Sequence, residues 1–200
     1  MIIVAEGPTA VGKSHYVATF PSAQIVGEKP GHVRPPDVAD IDGVSRFWTR
    51  RSEERWARAL DRENDQGRAV CDTDPLKLHL SWTLARAGLS ATADEFTRQL
   101  ELTRSAITRK TLGVADLIAC VTLPEDVLRE QRKRDISRRR RNFEVHVRLA
   151  EPLREWYATL NSVDPGRVAW EWPDVSHWVG RRERYDLDLF DTWMAKLPPL

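Results

Sequence analysis

The chain has 200 residues, enough for one domain with at most a small appendage, and its 41% apolar content can build a real core. With 31 basic and 30 acidic residues the net charge is +1, which excludes a global field selecting nucleic acid or membrane. No apolar run reaches the length of a membrane span, and the opening residues lack the basic segment of a secretory signal, so a cytoplasmic protein is expected. Cys71 and Cys120, each near the end of an apolar run, read as reduced buried thiols.

Strand and helix signals alternate, as in an α/β fold with a parallel sheet covered by helices on both faces. A first strand covers about 1–6 and a helix about Lys13 to Phe20. Ser22 to Gly27 reads as a short second strand, and 29–42, rich in proline and aspartate, as a loop. Val44, Phe47, Trp48, Ala57 and Leu60 fit one face of a helix over about 43–65, ended by Gly67. Ala69-Val70-Cys71 is a third strand that runs into Asp72-Thr73-Asp74; Pro75 then opens a helix that Gly88 closes. Thr92 to about Lys110 is another, with Gly113 as its stop. The fourth strand is Leu117 to Val121, and Pro124-Glu125-Asp126 opens a helix with acids in its first turn. That helix enters a basic stretch, Arg129 to Arg141. A helix over about 143–161, a fifth strand from Val168 to Trp172 stopped by Pro173, and a short helix over about 186–196 complete the chain.

The most specific motif follows the first strand. Gly7-Pro8-Thr9-Ala10-Val11-Gly12-Lys13-Ser14 is G-x-x-x-x-G-K-S, the phosphate-binding P-loop. Such a loop turns backbone N–H groups onto a polyphosphate, and glycine is needed where the backbone comes close. Gly7, Thr9, Ala10, Val11, Gly12, Lys13, Ser14 and His15 are therefore expected to hold ATP. Lys13 would reach the β- and γ-phosphates and the Ser14 hydroxyl would bind Mg²⁺.

Three further constellations carry chemistry. Asp72, at the tip of a strand beside the P-loop, could hold Mg²⁺ or position a hydroxyl, while Asp74 could equally cap the helix after Pro75. Glu28, after the second strand, would face the P-loop across the cleft and could accept the proton of an attacking hydroxyl. The choice of base among Glu28, Asp72 and Asp74 stays open. The run of Arg129, Arg132, Lys133, Arg134, Arg138, Arg139, Arg140 and Arg141 fits a lid over about 129–142 that neutralises charge on the transferred phosphoryl group. Arg134 and Arg138 share a helical face and are the expected lid arginines.

These parts, in this order, resemble the P-loop nucleoside and nucleotide kinases, above all the deoxynucleoside-kinase and thymidylate-kinase branch. Glu28-Lys29-Pro30 is similar to the family's Glu-Pro after the second strand, with one insertion. Asp72 matches the acid of the family's acid-arginine pair, but Thr73 stands in the arginine's place, a variant that looks more like ribosylnicotinamide kinase. Leu123 to Arg134 resembles the entry to the family's lid, with Arg134 on its arginine. The resemblance implies a three-layer fold with a five-stranded parallel sheet ordered 2-3-1-4-5, one kinase-like domain over 1–200, and a C-terminal appendage over about 174–200. In that order the first strand separates Cys71 from Cys120 by about 9–10 Å, too far for a disulfide.

The implied activity is transfer of the γ-phosphoryl group of ATP to a hydroxyl or phosphate of a nucleoside, nucleotide or nucleoside-like molecule, with Mg²⁺. The expected partners are that small acceptor and at most a second copy of the chain, not a membrane or a nucleic acid. An antibiotic-modifying phosphotransferase would use the same fold, and a nucleic-acid-binding ATPase would use the arginine run. A nucleotide switch is disfavoured: no Asn-Lys-x-Asp is present, and Asp40-Ile41-Asp42-Gly43 follows no strand. Phe47, Trp48, Trp56 and Trp82 are candidates to stack on an acceptor base, and Arg46, Arg50, Arg51 and Arg104 to bind its phosphate. The adenine of ATP is expected near Pro173 to His177.

Overall fold

The run Ile2-Ile3-Val4-Ala5 offers apolar side chains to both sides, as a strand covered on both faces requires. In a computed structural model, which describes the chain apart from residues 29–36, 38–39, 90, 135–141 and 177–179, this run forms β1 (Ile2–Glu6). It is the centre of a five-stranded parallel sheet. β3 (Ala69–Asp72) and β4 (Leu117–Cys120) flank it, with Val4 in register with Cys71 and with Ile118. β2 (Ile25–Val26) and β5 (Val168–Ala169) form the edges, so the order is β2-β3-β1-β4-β5, as expected. Both edge strands are shorter than the sequence suggests. Ser22–Gln24 wind into a 3₁₀ turn before β2, and β5 leaves the sheet before Trp170.

Eight helices are described: α1 (Lys13–Val17), α2 (Ile41–Gln66), α3 (Leu78–Arg86), α4 (Ala93–Thr108), α5 (Glu125–Arg134), α6 (Phe143–Arg148), α7 (Ala150–Val163) and α8 (Leu187–Ala195). α1 stops short of Phe20 because the amides of Thr19 and Phe20 bond three residues back, to Tyr16 and Val17. Pro75 does not open α3. The Asp74 carboxylate accepts from the Leu76 amide at 2.9 Å, and the helix starts later, behind Lys77 in a left-handed conformation (φ 54°). α4 has the capping box of Thr92 and Glu95. Lys110 (φ 59°), not Gly113, turns the chain after it, and Gly113 instead lets Trp56 and the Arg184 carbonyl approach. The expected helix over 143–161 breaks at Leu149, because Pro152 has no N–H for the Arg148 carbonyl.

The alternation of β1 sorts the core. Ile2 and Val4 join Trp56, Trp82, Trp156 and Trp193 in the main cluster, while Ile3 and Ala5 pack with Tyr16, Val17 and Val175 on the other face. Phe190 and Trp193 of α8 are fully buried, and α8 packs on α7 and α4, so the C-terminal segment expected as an appendage completes the main core. Cys71 and Cys120 are free, buried, and on opposite sides of β1; burial pushes the Cys71 thiol up to about 12 and raises that of Cys120 as well. Among the described residues no helix is long and apolar enough to cross a membrane.

Candidate active site

Beyond Glu6 the chain turns through Gly7 (φ 141°), Ala10 (φ 76°) and Gly12 (φ 98°) into α1. A Cβ on Gly7 would lie 2.2 Å from the Val121 carbonyl oxygen, so the loop presses on the end of β4 as only glycine allows. Lys13 folds back and donates to the carbonyls of Gly7 and Pro8. A cleft of about 1060 Å³ opens here. It lies outside the carboxyl ends of the strands, where open α/β sheets bind ligands.

Gly7, Thr9, Ala10, Val11, Gly12, Lys13, Ser14 and His15 all line this cleft, and Glu28 and Asp72 join them from β2 and β3. Arg134 does not: it is exposed on the last turn of α5, whose contribution to the lining is Gln131. Arg138, Arg139, Arg140, Arg141 and His177 lie outside the described residues. Arg129 and Arg132 bond to Glu144 (2.7 and 3.2 Å) and stand over the Phe143 ring, which ties this part of the arginine run to α6.

The charges in the cleft oppose one another. Burial raises the carboxyl of Asp72, helped by Glu28 and Glu6 against Lys13 and Arg55. For Glu28 burial acts upward too, but the ion pair with Lys77 prevails and holds the carboxyl below its ordinary range. Asp74, a candidate from the sequence, joins Glu6, His79 and Tyr157, which the sequence did not single out, in a buried network in which Glu6 and His79 line the cleft. Glu6 accepts from the amides of Gly7 (2.9 Å) and Asp74 (3.0 Å), and its carboxylate is 3.5 Å from His79 Nε2. The Tyr157 hydroxyl donates to Asp74 Oδ2 at 3.0 Å and lies 3.5 Å from His79 Nδ1. Burial raises Asp74 and lowers His79; for Glu6 it acts upward but is outweighed by His79, Lys13 and Lys77. The signal available in the sequence was Glu6 itself, a carboxylate ending an otherwise apolar central strand.

A second cavity of about 570 Å³ adjoins the cleft, between α2, α3 and α4, and shares Glu28, Lys77, Leu80 and Leu84 with it. Trp48 lines it; Phe47 meets Trp48 edge-on. Trp56 and Trp82, expected as stacking candidates, are instead buried in the core and line neither cavity. Of the proposed arginines only Arg51 lines the cavity. Arg46, Arg50 and Arg104 pair with Asp42, Glu54 and Asp191 instead.

Sheet order, P-loop and cleft together define a three-layer P-loop α/β fold. Among solved structures the chain is similar to a deoxyadenosine kinase from M. mycoides with bound dATP, at 14% identity and a TM-score of 0.51, covering 98% of this chain and 99% of that one. At that identity the likeness speaks for the fold. No protein-family model matches the chain, and no curated protein is similar to it in sequence.

Proposed function

We propose that this protein is a P-loop phosphotransferase that moves the γ-phosphoryl group of ATP to a hydroxyl or phosphate of a nucleoside-like small molecule. The observation that carries this reading is the junction of the two cavities: a P-loop cleft opens into an acceptor-sized pocket through Glu28, Lys77, Leu80 and Leu84. The residues fit a magnesium nucleotide. The loop has the left-handed turns of an anion nest, the Lys13 ammonium rests on loop carbonyls it can exchange for phosphate oxygens, and Ser14 and Asp72 line the same cleft. Bound Mg²⁺ would supply charge neutralisation on the phosphates.

In this reading Lys13 would act on the β- and γ-phosphates, and Ser14 and Asp72 would hold the metal. Glu28, kept ionised by Lys77, is the base toward a hydroxyl acceptor. Arg134, exposed at the end of α5, and Arg138, outside the described residues, would neutralise charge on the transferred phosphoryl group. An antibiotic-modifying enzyme would share this chemistry and differ in the acceptor. A nucleic-acid ATPase is less favoured, since Arg129 and Arg132 are engaged by Glu144. ADP formation from ATP and Mg²⁺, measured with and without a panel of nucleosides and nucleotides, tests the reading. Acceptor-dependent ADP formation is expected; ATP turnover that no acceptor stimulates, or none at all, would reject it.

A further inference from the structure

The second cavity has an excess of cations on one wall. Arg51, Arg55 and Arg58 follow one another at i, i+4 and i+7 on α2, so they share a helical face, and all three line the cavity. Three guanidinium groups stacked on one face repel one another unless anions answer them. Arg51 has Glu54 at 2.8 Å. Among the described residues Arg55 and Arg58 form no ion pair. The other carboxylates of the cavity are committed, Glu28 to Lys77 and Glu95 to the capping box of α4.

Arg55 is the unusual member. Only 5% of it is exposed, yet its guanidinium bonds to neutral oxygens alone: the carbonyls of Asp72 (2.9 Å), Thr73 (3.0 Å) and Asp74 (3.4 Å) and the Thr73 hydroxyl (3.3 Å). Its Nε is buried and has no partner. A buried charge with an unsatisfied donor is expensive to hold. Thr73 is a β-branched residue at φ 74°, a strained conformation that Arg55 clamps in place at the rim of the P-loop cleft. The charge is thus held next to the cleft in which phosphoryl transfer would occur.

We infer that the acceptor of this enzyme is itself a phosphate monoester, seated with its phosphate toward Arg55 and Arg58 and attacking through a phosphate oxygen. This rests on the phosphotransferase reading and narrows it. The oxygen of the ionised acceptor forms a bond to the γ-phosphorus as the bond from that phosphorus to the bridging oxygen breaks. The products are a phosphoanhydride and ADP. The acceptor dianion enters deprotonated, so the step needs no base and releases no net proton at about pH 8. Transfer to a neutral hydroxyl would release one proton per turnover.

The test has two arms. Binding of AMP, GMP, CMP, UMP and dTMP, and of the matching nucleosides, is measured calorimetrically with a non-hydrolysable ATP analogue filling the P-loop. At least one monophosphate should bind ten or more times tighter than its nucleoside. Arg58→Gln, exposed enough to spare the fold, should remove most of that ratio, while Arg62→Gln, exposed on α2 away from the cavity, should leave it intact. Arg55→Lys should raise the KM for the acceptor about tenfold with the KM for ATP unchanged. In weakly buffered turnover, ADP should form without stoichiometric acid. Preference for nucleosides, equal binding of both classes, or one proton per ADP would each overturn the inference. In the first and last of these cases the phosphotransferase reading survives. Monophosphate binding without any ATP turnover would break that reading instead and leave the anion site standing.

Discussion

The two ends of the sheet each bury a cluster of charges, and they handle them in opposite ways. At the amino-terminal end, Glu63 and Asp116 are both saturated by fixed donors. Arg184 bonds to Glu63 twice at 2.7 Å and to Asp116 at 2.5 and 3.0 Å, and Asp116 also accepts from the amides of Ile2 and Arg182. At the carboxyl-terminal end the imidazole is 3.5 Å from its carboxylate, the cations sit on Lys13 and Lys77, and Arg55 keeps an unsatisfied donor. The carboxyl shifts follow the same division. Burial works against the charged form of Glu63, but Arg184 and the Met1 amino group overcome it and bring the carboxyl down to about 2. Asp72 and Asp74 instead stay above their usual range. One end closes its electrostatics internally; the other keeps a buried guanidinium N–H without a partner and a long imidazole–carboxylate contact beside the cleft.

Breaking the closed end should have the largest effect. Arg184→Ala removes the guanidinium that two buried carboxylates share and is expected to cost about 3–5 kcal/mol in denaturant unfolding, while the fraction that remains folded keeps the nucleotide affinity of the wild type. An equal loss of nucleotide affinity would mean the two ends are not separable. Lys13→Ala is the converse. Steady-state ADP formation should fall roughly 10²–10³-fold, while stability moves by less than about 1 kcal/mol. A variant that unfolds along with its activity would make the open end structural too.

The acid limb of stability sharpens the contrast. Glu63 has its folded value below the unfolded one, so its contribution is present above the unfolded value and lost as pH falls through the folded one. A carboxyl moved from 4.5 to about 2 contributes roughly 3 kcal/mol at neutral pH. Unfolding free energies of the wild type and Glu63→Gln should therefore differ at pH 7 and converge toward pH 2. Parallel curves would place the acid sensitivity elsewhere.

The same division governs what could be read from the sequence. The strands and the P-loop are legible as apolar runs and a local motif, the sheet order only through the family resemblance that they carry, and Lys13, Ser14, Glu28 and Asp72 meet in one cleft because each stands at or just beyond the carboxyl end of a strand or in the loop after it. What the sequence left hidden depends on contacts far apart in the chain. Arg55 reaches residues 72–74 across 17 to 19 positions, Tyr157 reaches Asp74 across 83, and Arg184 reaches Glu63 across 121. Among α2 arginines, periodicity alone could not tell Arg51, Arg55 and Arg58, which face the cavity, from Arg46 and Arg50, which turn outward to Asp42 and Glu54. Trp56 and Trp82 were legible as large aromatics, but whether each met a ligand or the core depended on the packing of four tryptophans from three helices and α8.

The smallest expected effect has the opposite sign from the others. Asp74 is buried, accepts from Tyr157 and from the Leu76 amide, and is raised by burial. A raised folded value makes an ionised carboxylate a liability at neutral pH, and the liability eases as pH falls through that value. Asp74→Asn keeps the size, the acceptor toward the Leu76 amide, and an amide group that can donate to the Tyr157 oxygen. Burial drives His79 toward its neutral form, so the imidazole depends on Asp74 least at pH 7 and more in acid. The variant should therefore be more stable than the wild type at pH 7, by less than the other changes cost, with the gain shrinking as the solution is acidified. Thermal unfolding across pH 4–8 measures both features. A loss of stability at pH 7 would mean that His79 is charged and depends on Asp74, and the carboxyl-terminal cluster would then be as internally closed as the one around Arg184.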